Sequence, residues 1–242
     1  MAVSQAALRF HFSEPGDGGL AAAERALSID ANLAEAHAAI ARVLTSNSKY
    51  DEAQREIETA LRLDPESFEV NTAAARLNYA QGRYEDATRY YEKAASLMES
   101  DFSSVAMLIA CYRSLGNQEG LRHAAQRTLA RAEKIAAQEP DNGMAMGYVV
   151  MSLIALGQGD RARELAKRAM LLDPDNLTMR YNFACGFVEL KDTETALNLL
   201  GAVLEKDTLE TVNWAKVDPD LDALRDQPRF KGAEKRLAMA AG

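Results

Sequence analysis

Apolar side chains recur along most of this chain at the spacing of one helix face, in pairs of runs separated by a short turn. The clearest turns are Gln81-Gly82-Arg83 and Leu115-Gly116-Asn117, and glycine supplies the left-handed backbone that ends a helix. Each pair of runs therefore predicts two antiparallel helices. The pairs follow one another in a repeating frame, because Pro140 and Pro174 close similar phrases 34 residues apart.

Small and large side chains alternate within that frame. Small ones recur where the two helices of a pair must approach each other, and larger ones fill the space between them, which lets helix layers interdigitate without voids. The sequence therefore predicts an all-α solenoid, in which each helix pair packs on the next. The frames begin at residues 34, 68, 102, 143 and 177. Alanine is frequent at their eighth and twentieth positions, and larger residues stand at the eleventh: Ala41, Ala75, Ala184; Ala53, Ala87, Ala162, Ala196; Leu44, Tyr112, Leu153, Phe187.

The small-large pattern and the closing Asp-Pro resemble the tetratricopeptide repeat family from about residue 34 to 207. The resemblance implies a right-handed solenoid of antiparallel helical hairpins. Residues 23–30 look like the second helix of a degraded repeat, and we expect one domain over 1–242. The expected parts are a degraded repeat at 1–33, full repeats at 34–67, 68–101, 102–142, 143–176 and 177–207, and a helical cap at 208–242.

The third repeat is seven residues longer than its neighbours, and nothing between Leu121 and Glu139 breaks a helix. Seven residues are about two helical turns and rotate the apolar stripe by only ~20°. We therefore expect one long helix near 117–138. Its protruding end is either a docking surface or a simple extension.

The stretch from Asn213 to Phe230 leaves the repeating frame. Asp218 before Pro219 is typical of a short helix that the aspartate caps. A solenoid needs such an ending, because its last repeat otherwise exposes an apolar face. The stretch resembles the tail of tetratricopeptide regions attached to bacterial class III nucleotide cyclases and related signalling proteins, which would imply a signalling context.

Composition and charge narrow the classes of function. A net charge of −8 disfavours nucleic acid, because phosphate binding needs clustered Lys and Arg. No run approaches the roughly 18 apolar residues of a membrane span, and the start shows no secretory signal. We expect a cytoplasmic protein without a membrane partner. Cys111 and Cys185 stand apart from other Cys and His, which indicates buried thiols rather than a disulfide framework or zinc site.

Catalytic chemistry is not visible in the sequence. The three histidines lack metal-ligand spacing, and the glycines of 16–19 and 157–159 follow no predicted strand, so they indicate turns rather than phosphate loops. The acidic pairs 51–52 and 85–86 begin second helices, where negative charge favours the helix dipole. We expect no enzyme, no cofactor and no metal.

Function is then expected on a surface. The second, fifth, ninth and twelfth positions of each first helix form one stripe, here called the groove stripe, which in the family lines a concave peptide-binding groove. Its arginines can bind carboxylates in bidentate fashion, and its later residues offer methionine and aromatic surface. The candidate binding residues are Arg42, Arg76, Tyr79, Arg113, Met144, Met151, Ile154 and Tyr181.

The groove stripe predicts a protein or peptide partner with an acidic part and an apolar part. Two alternatives stay open at this point. The stripe is only the solvated inner wall of a solenoid, or the chain is a regulatory or self-association region of a bacterial signalling system.

Overall fold

The computed structural model describes residues 19–139, 142–206 and 209–232, and every regular element in these ranges is helical. The predicted all-α fold is confirmed. The helices are α1 (Leu20–Ile29), α2 (Ala34–Ser46), α3 (Tyr50–Leu63), α4 (Phe68–Ala80), α5 (Tyr84–Leu97), α6 (Ser103–Ser114), α7 (Gln118–Gln138), α8 (Gly143–Ala155), α9 (Gly159–Leu172), α10 (Leu177–Glu189), α11 (Thr193–Lys206), α12 (Leu209–Val217) and a 3₁₀ helix (Pro219–Leu224).

Each frame from residue 34 to 207 holds two helices that pack against each other, beginning with α2 and α3 and ending with α10 and α11. Of the degraded first repeat, the predicted second helix is present as α1, whereas residues 1–18 lie outside the described residues. Within the described ranges, no helix combines the length and apolar character that a membrane crossing requires.

The turn inside each hairpin contains one residue in the left-handed conformation, always at the fifteenth position of the frame. In three repeats this residue is glycine, as the sequence indicates, with φ between 68° and 76°. Ser48 and Lys191 take the same conformation, each at φ 59°, although both carry a Cβ. The position in the frame therefore determines the left-handed conformation. Glycine is favoured there but is not required.

The chain divides into two compact units, 1–99 and 100–242, called here the first unit and the second unit. In its described part the first unit contains α1 to α5, with a core made mainly of alanines around Ile57, Val70 and Leu77. The second unit contains α6 to α12 and the 3₁₀ helix, with a core of larger side chains such as Phe183 and Leu200. That the whole chain is a single domain stays a prediction.

The long helix predicted near 117–138 is present as α7, which spans 21 residues. Its buried side chains end at Ala132. The last residues of α7 are mostly exposed and extend past the buried face. A docking role for this end stays a prediction.

The predicted C-terminal helical elements are also present. Asp218 caps the 3₁₀ helix: its carboxylate accepts a hydrogen bond from the Asp220 amide at 3.1 Å, and Pro219 begins the helix. Residues 228–232 are helical again and return to α11. There Phe230 is buried, and the Arg229 guanidinium donates to Glu194 at 3.0 Å and to Asn198 at 2.8 Å.

Candidate functional site

In the first unit, the groove stripe brings Arg42 on α2 and Arg76 on α4 to equivalent positions of two packed helices. Both arginines are partly exposed. Tyr79, the third candidate residue here, is only 1% exposed and packs edge to face on Tyr84, with ring centroids 5.6 Å apart. In this conformation the two arginines reach the surface and Tyr79 belongs to the core.

In the second unit, α8 carries three of the candidate residues. Met144 and Met151 are partly exposed, whereas Ile154 is buried in the core. Gly186 of α10 lies against Ile154, and a Cβ at Gly186 would stand 2.6 Å from the end of the isoleucine side chain. The close packing of α8 on α10 therefore covers Ile154 and leaves the two methionines as the accessible part of α8's stripe.

The two remaining candidates, Arg113 and Tyr181, contact the C-terminal part of the chain itself. Residues 218–224, called here the tail segment, pack against α10 and α6. They contact three residues of the groove stripe: Tyr181 and Cys185 on α10, and Arg113 on α6. The sequence predicts that this stretch caps the last repeat, and no signal in it predicts a contact with the groove stripe.

Arg113 forms two ion pairs through its guanidinium group. Nη1 donates to Asp220 of the tail segment at 2.6 Å, and Nη2 donates to Glu189 of α10 at 2.5 Å. The Asp220 side chain is 8% exposed, so this pair is largely removed from water, while Glu189 keeps 35% of its side-chain surface. One arginine thus joins α6, α10 and the tail segment through charge-assisted hydrogen bonds.

Tyr181 binds a second carboxylate of the tail segment, that of Asp218. Its hydroxyl donates to Asp218 Oδ2 at 2.7 Å, and the Cys185 thiol lies 3.9 Å from the same oxygen. Asp218 is 5% exposed, so its carboxylate is buried against polar hydrogens instead of water. Arg225 stabilises this turn, because its guanidinium donates a hydrogen bond to the Asp218 carbonyl oxygen at 2.9 Å.

Two leucines complete the tail segment. Leu221 and Leu224 are both fully buried and belong to the apolar core of the second unit. They are three residues apart in a 3₁₀ helix, so they stand on the same face. The tail segment therefore presents two carboxylates and two leucines to α6, α10 and the core around them.

This arrangement changes the acid–base properties of three side chains. Burial, followed by the charge of Asp218, raises the pKa of Tyr181 well above its ordinary 10.0, and the same two causes raise the pKa of Cys185 well above 9.0. Burial raises the pKa of Glu189 and Asp220 adds to that effect, while Arg113 opposes it.

The tyrosine and the cysteine predict a loss of stability at high pH. The unfolded chain ionises both groups near their ordinary pKa values, while the folded chain keeps them neutral beside Asp218. The stability that a raised folded-state pKa provides is complete below the unfolded-state pKa and is lost as the pH rises towards the folded-state pKa. The free energy of unfolding should therefore fall as the pH rises above about 9. Urea unfolding measured from pH 7 to 11 checks this.

Two variants isolate the contribution of the phenol. Tyr181→Phe should flatten the decline above about pH 10, because no phenol remains to ionise. Tyr50→Phe, at a partly exposed position of the first unit, serves as the matched control and should leave the decline unchanged. Equal profiles for the two variants would contradict the role of Tyr181.

Residues 34–67 match the family model of the tetratricopeptide repeat. This match, on the frame with α2 and α3, supports the family resemblance of the chain. No curated protein sequence matches it significantly. A link to the tails of nucleotide cyclases stays a prediction.

Solved structures resemble the chain in fold at low sequence identity. TTC0263, a thermophilic tetratricopeptide repeat protein in Thermus thermophilus, is 17% identical and has a TM-score of 0.58 over 77% of this chain and 97% of its own. PilF of Pseudomonas aeruginosa is 10% identical, with a TM-score of 0.50 over 86% of this chain and 91% of its own. YrrB, described as having an unusual peptide-binding site, is 18% identical, with a TM-score of 0.46 over 88% and 97%.

Proposed function

We propose that this chain is a non-enzymatic interaction module that binds a segment of another protein on its groove stripe. Tetratricopeptide repeat proteins bind protein or peptide partners and are generally non-catalytic scaffolds, which supports this class of function. The observation that carries the proposal is the placement of Arg42 in the matched repeat and Arg76 in the next one. Both occupy the ninth position of a first helix, and both are partly exposed.

Two guanidinium groups on neighbouring first helices favour a partner segment that carries carboxylates. Each guanidinium can donate two parallel hydrogen bonds to one carboxylate, and such charge-assisted bonds stabilise more than neutral ones. In the second unit, Met144 and Met151 offer a separate, adaptable apolar surface. We therefore propose an acidic segment for the first unit's stripe and apolar side chains for the methionines.

The double substitution Arg42→Glu and Arg76→Glu tests the proposal. It should weaken binding of the true partner at least 10-fold, because each reversal replaces an attraction for a carboxylate by a repulsion. Proteins captured from the source cell by the wild-type chain and by the variant are compared by mass spectrometry. The affinity of the identified segment is then measured by calorimetry.

The matched control changes the same charge on the second helices of the same two repeats. Arg55 and Arg89 are exposed there, so Arg55→Glu with Arg89→Glu should keep the partner. Partners that both double variants lose equally, with helical content unchanged in each, would contradict the proposed surface. Arg113 stays unchanged in both variants because its ion pair with Asp220 holds the tail segment.

The sequence also allows self-association within a bacterial signalling system and favours a cytoplasmic location. Both stay predictions. Partner binding takes precedence because the arginines that carry it occupy equivalent positions in consecutive repeats.

A further inference from the structure

The tail segment has the chemistry that the groove stripe predicts for a ligand. Its sequence, Asp-Pro-Asp-Leu-Asp-Ala-Leu, combines an acidic part with an apolar part. It is held by Arg113 and Tyr181, two residues that the stripe assigns to partner binding. Part of the second unit's stripe is therefore covered by the chain's own residues.

We propose that the surface formed by Arg113, Tyr181 and Cys185 is a masked binding site, which the tail segment occupies until a partner segment of the same chemistry displaces it. The partner segment carries Asp-Pro, then an acidic residue, then two leucines three positions apart. This inference rests on the proposed function and names the partner chemistry for the second unit.

The first requirement on the partner is a short acidic residue at the place of Asp218. The Tyr181 hydroxyl reaches one carboxylate oxygen at 2.7 Å, while the other accepts the amide of Asp220 at 3.1 Å. The following proline suits the first position of the helix, where no amide hydrogen is needed. A glutamate would carry its carboxylate one methylene further and would lose the capping bond to its own backbone.

The second requirement is a carboxylate that reaches Arg113. In the occupied site, Asp220 and Glu189 share this one guanidinium. Arg113 is the cation of α6 that meets the residue at the place of Asp220. We therefore expect recognition to require an acidic residue at that place. Leu221 and Leu224 then supply the apolar contact, because both are fully buried.

The tail segment is covalently attached to the chain, and this attachment explains why a separate partner segment would bind the intact chain weakly. A covalently attached competitor acts at an effective concentration on the order of millimolar. If the tail segment and a partner segment have similar micromolar affinities, the tether weakens the partner's apparent affinity by roughly 10²–10³-fold. The 3₁₀ helix of the tail segment is only six residues long, so few backbone bonds oppose its release.

The test uses the full chain and a labelled synthetic peptide with the sequence of residues 213–230. One chain carries Asp220→Ala and Leu224→Ala, which weaken the attached tail segment and leave its receptor surface intact. This chain should bind the peptide at least ~30-fold more tightly than the wild-type chain does, as measured by fluorescence anisotropy. Adding Arg113→Gln to it should reduce the affinity at least ~10-fold, whereas adding Lys167→Gln, at an exposed position of α9, should not.

A second variant keeps the experiment informative if the tail substitutions prevent folding. It carries a specific protease site inserted between Lys206 and Leu209, so the tail can be cut after folding. The labelled peptide should then exchange with the cut tail, and size-exclusion chromatography should show the tail fragment leaving. A peptide in which the residue equivalent to Asp220 is lysine should exchange at least ~10-fold less well.

Three results would overturn the proposal. A folded, tail-weakened chain that does not bind the peptide, together with a cut chain that does not exchange its tail, shows that no receptor site exists. Equal binding by the wild-type and tail-weakened chains shows that the site is not masked. Wild-type dimers that the tail substitutions abolish identify a second copy as the occupant. Arg42 and Arg76 are unchanged throughout, so each failure leaves the test of the proposed function intact.

Discussion

Replacing Leu221 by alanine is expected to lower the free energy of unfolding of the second unit by about 2–5 kcal/mol. The side chain is fully buried in the core of that unit, so the substitution loses the transfer free energy of three carbons and leaves a cavity. Urea unfolding followed by circular dichroism measures the loss. The one tryptophan of the chain, Trp214, precedes the tail segment and packs against the same core, so its fluorescence reports this region separately.

Leu171→Ala is the matched control for this prediction. Leu171 lies at the end of α9 and is 83% exposed, so the same change should alter stability by less than about 0.5 kcal/mol. A loss at Leu221 no larger than the loss at Leu171 would show that the tail segment does not contribute to the core. An unchanged tryptophan transition in Leu221→Ala would point the same way.

Arg113→Glu is expected to cost roughly 2–4 kcal/mol, between the small value of an exposed ion pair and the larger value of a buried one. The change removes the cation between Asp220 and Glu189 and places a third carboxylate beside them. The tail segment should detach before the rest of the second unit unfolds. Tryptophan fluorescence should therefore change at a lower urea concentration than circular dichroism.

A charge reversal on the surface of α9 separates this effect from the change in net charge. Lys167 pairs with Glu164 at 3.1 Å and both are well exposed, so Lys167→Glu should cost less than about 1 kcal/mol. Restoring the opposite charge through Asp220→Arg in the Arg113→Glu chain should recover part of the stability. Equal losses for Arg113→Glu and Lys167→Glu would contradict the structural role of the Arg113 ion pairs.

The helices and their order could be read from the sequence because their causes are local. A hairpin turn and two apolar stripes fall within one frame of 34 residues, and each frame repeats the same arrangement. The long helix α7 follows from an uninterrupted stretch before Pro140. Even the turns at Ser48 and Lys191, which lack glycine, follow from their equivalent place in the frame.

The candidate site was predictable only in part. Helical spacing predicts one stripe for Arg113 and Tyr181, and both contact the tail segment. The spacing does not tell which stripe residues other parts of the chain will cover. Tyr79 and Ile154 satisfy the spacing and are nevertheless buried. Asp218 carried a visible signal for capping, but its second contact, with Tyr181, had none.

The sequence by itself determined the helical hairpins, the long helix α7 and the capped turn at Asp218, since each depends on residues a few positions apart. Only the tertiary structure decided that the tail segment lies on the stripe of the second unit. Arg113 and Asp220 are 107 residues apart in sequence, and no periodicity relates them. Their contact arises because α6 and α10 present one cation and one phenol where the chain, leaving its last repeat, brings two carboxylates.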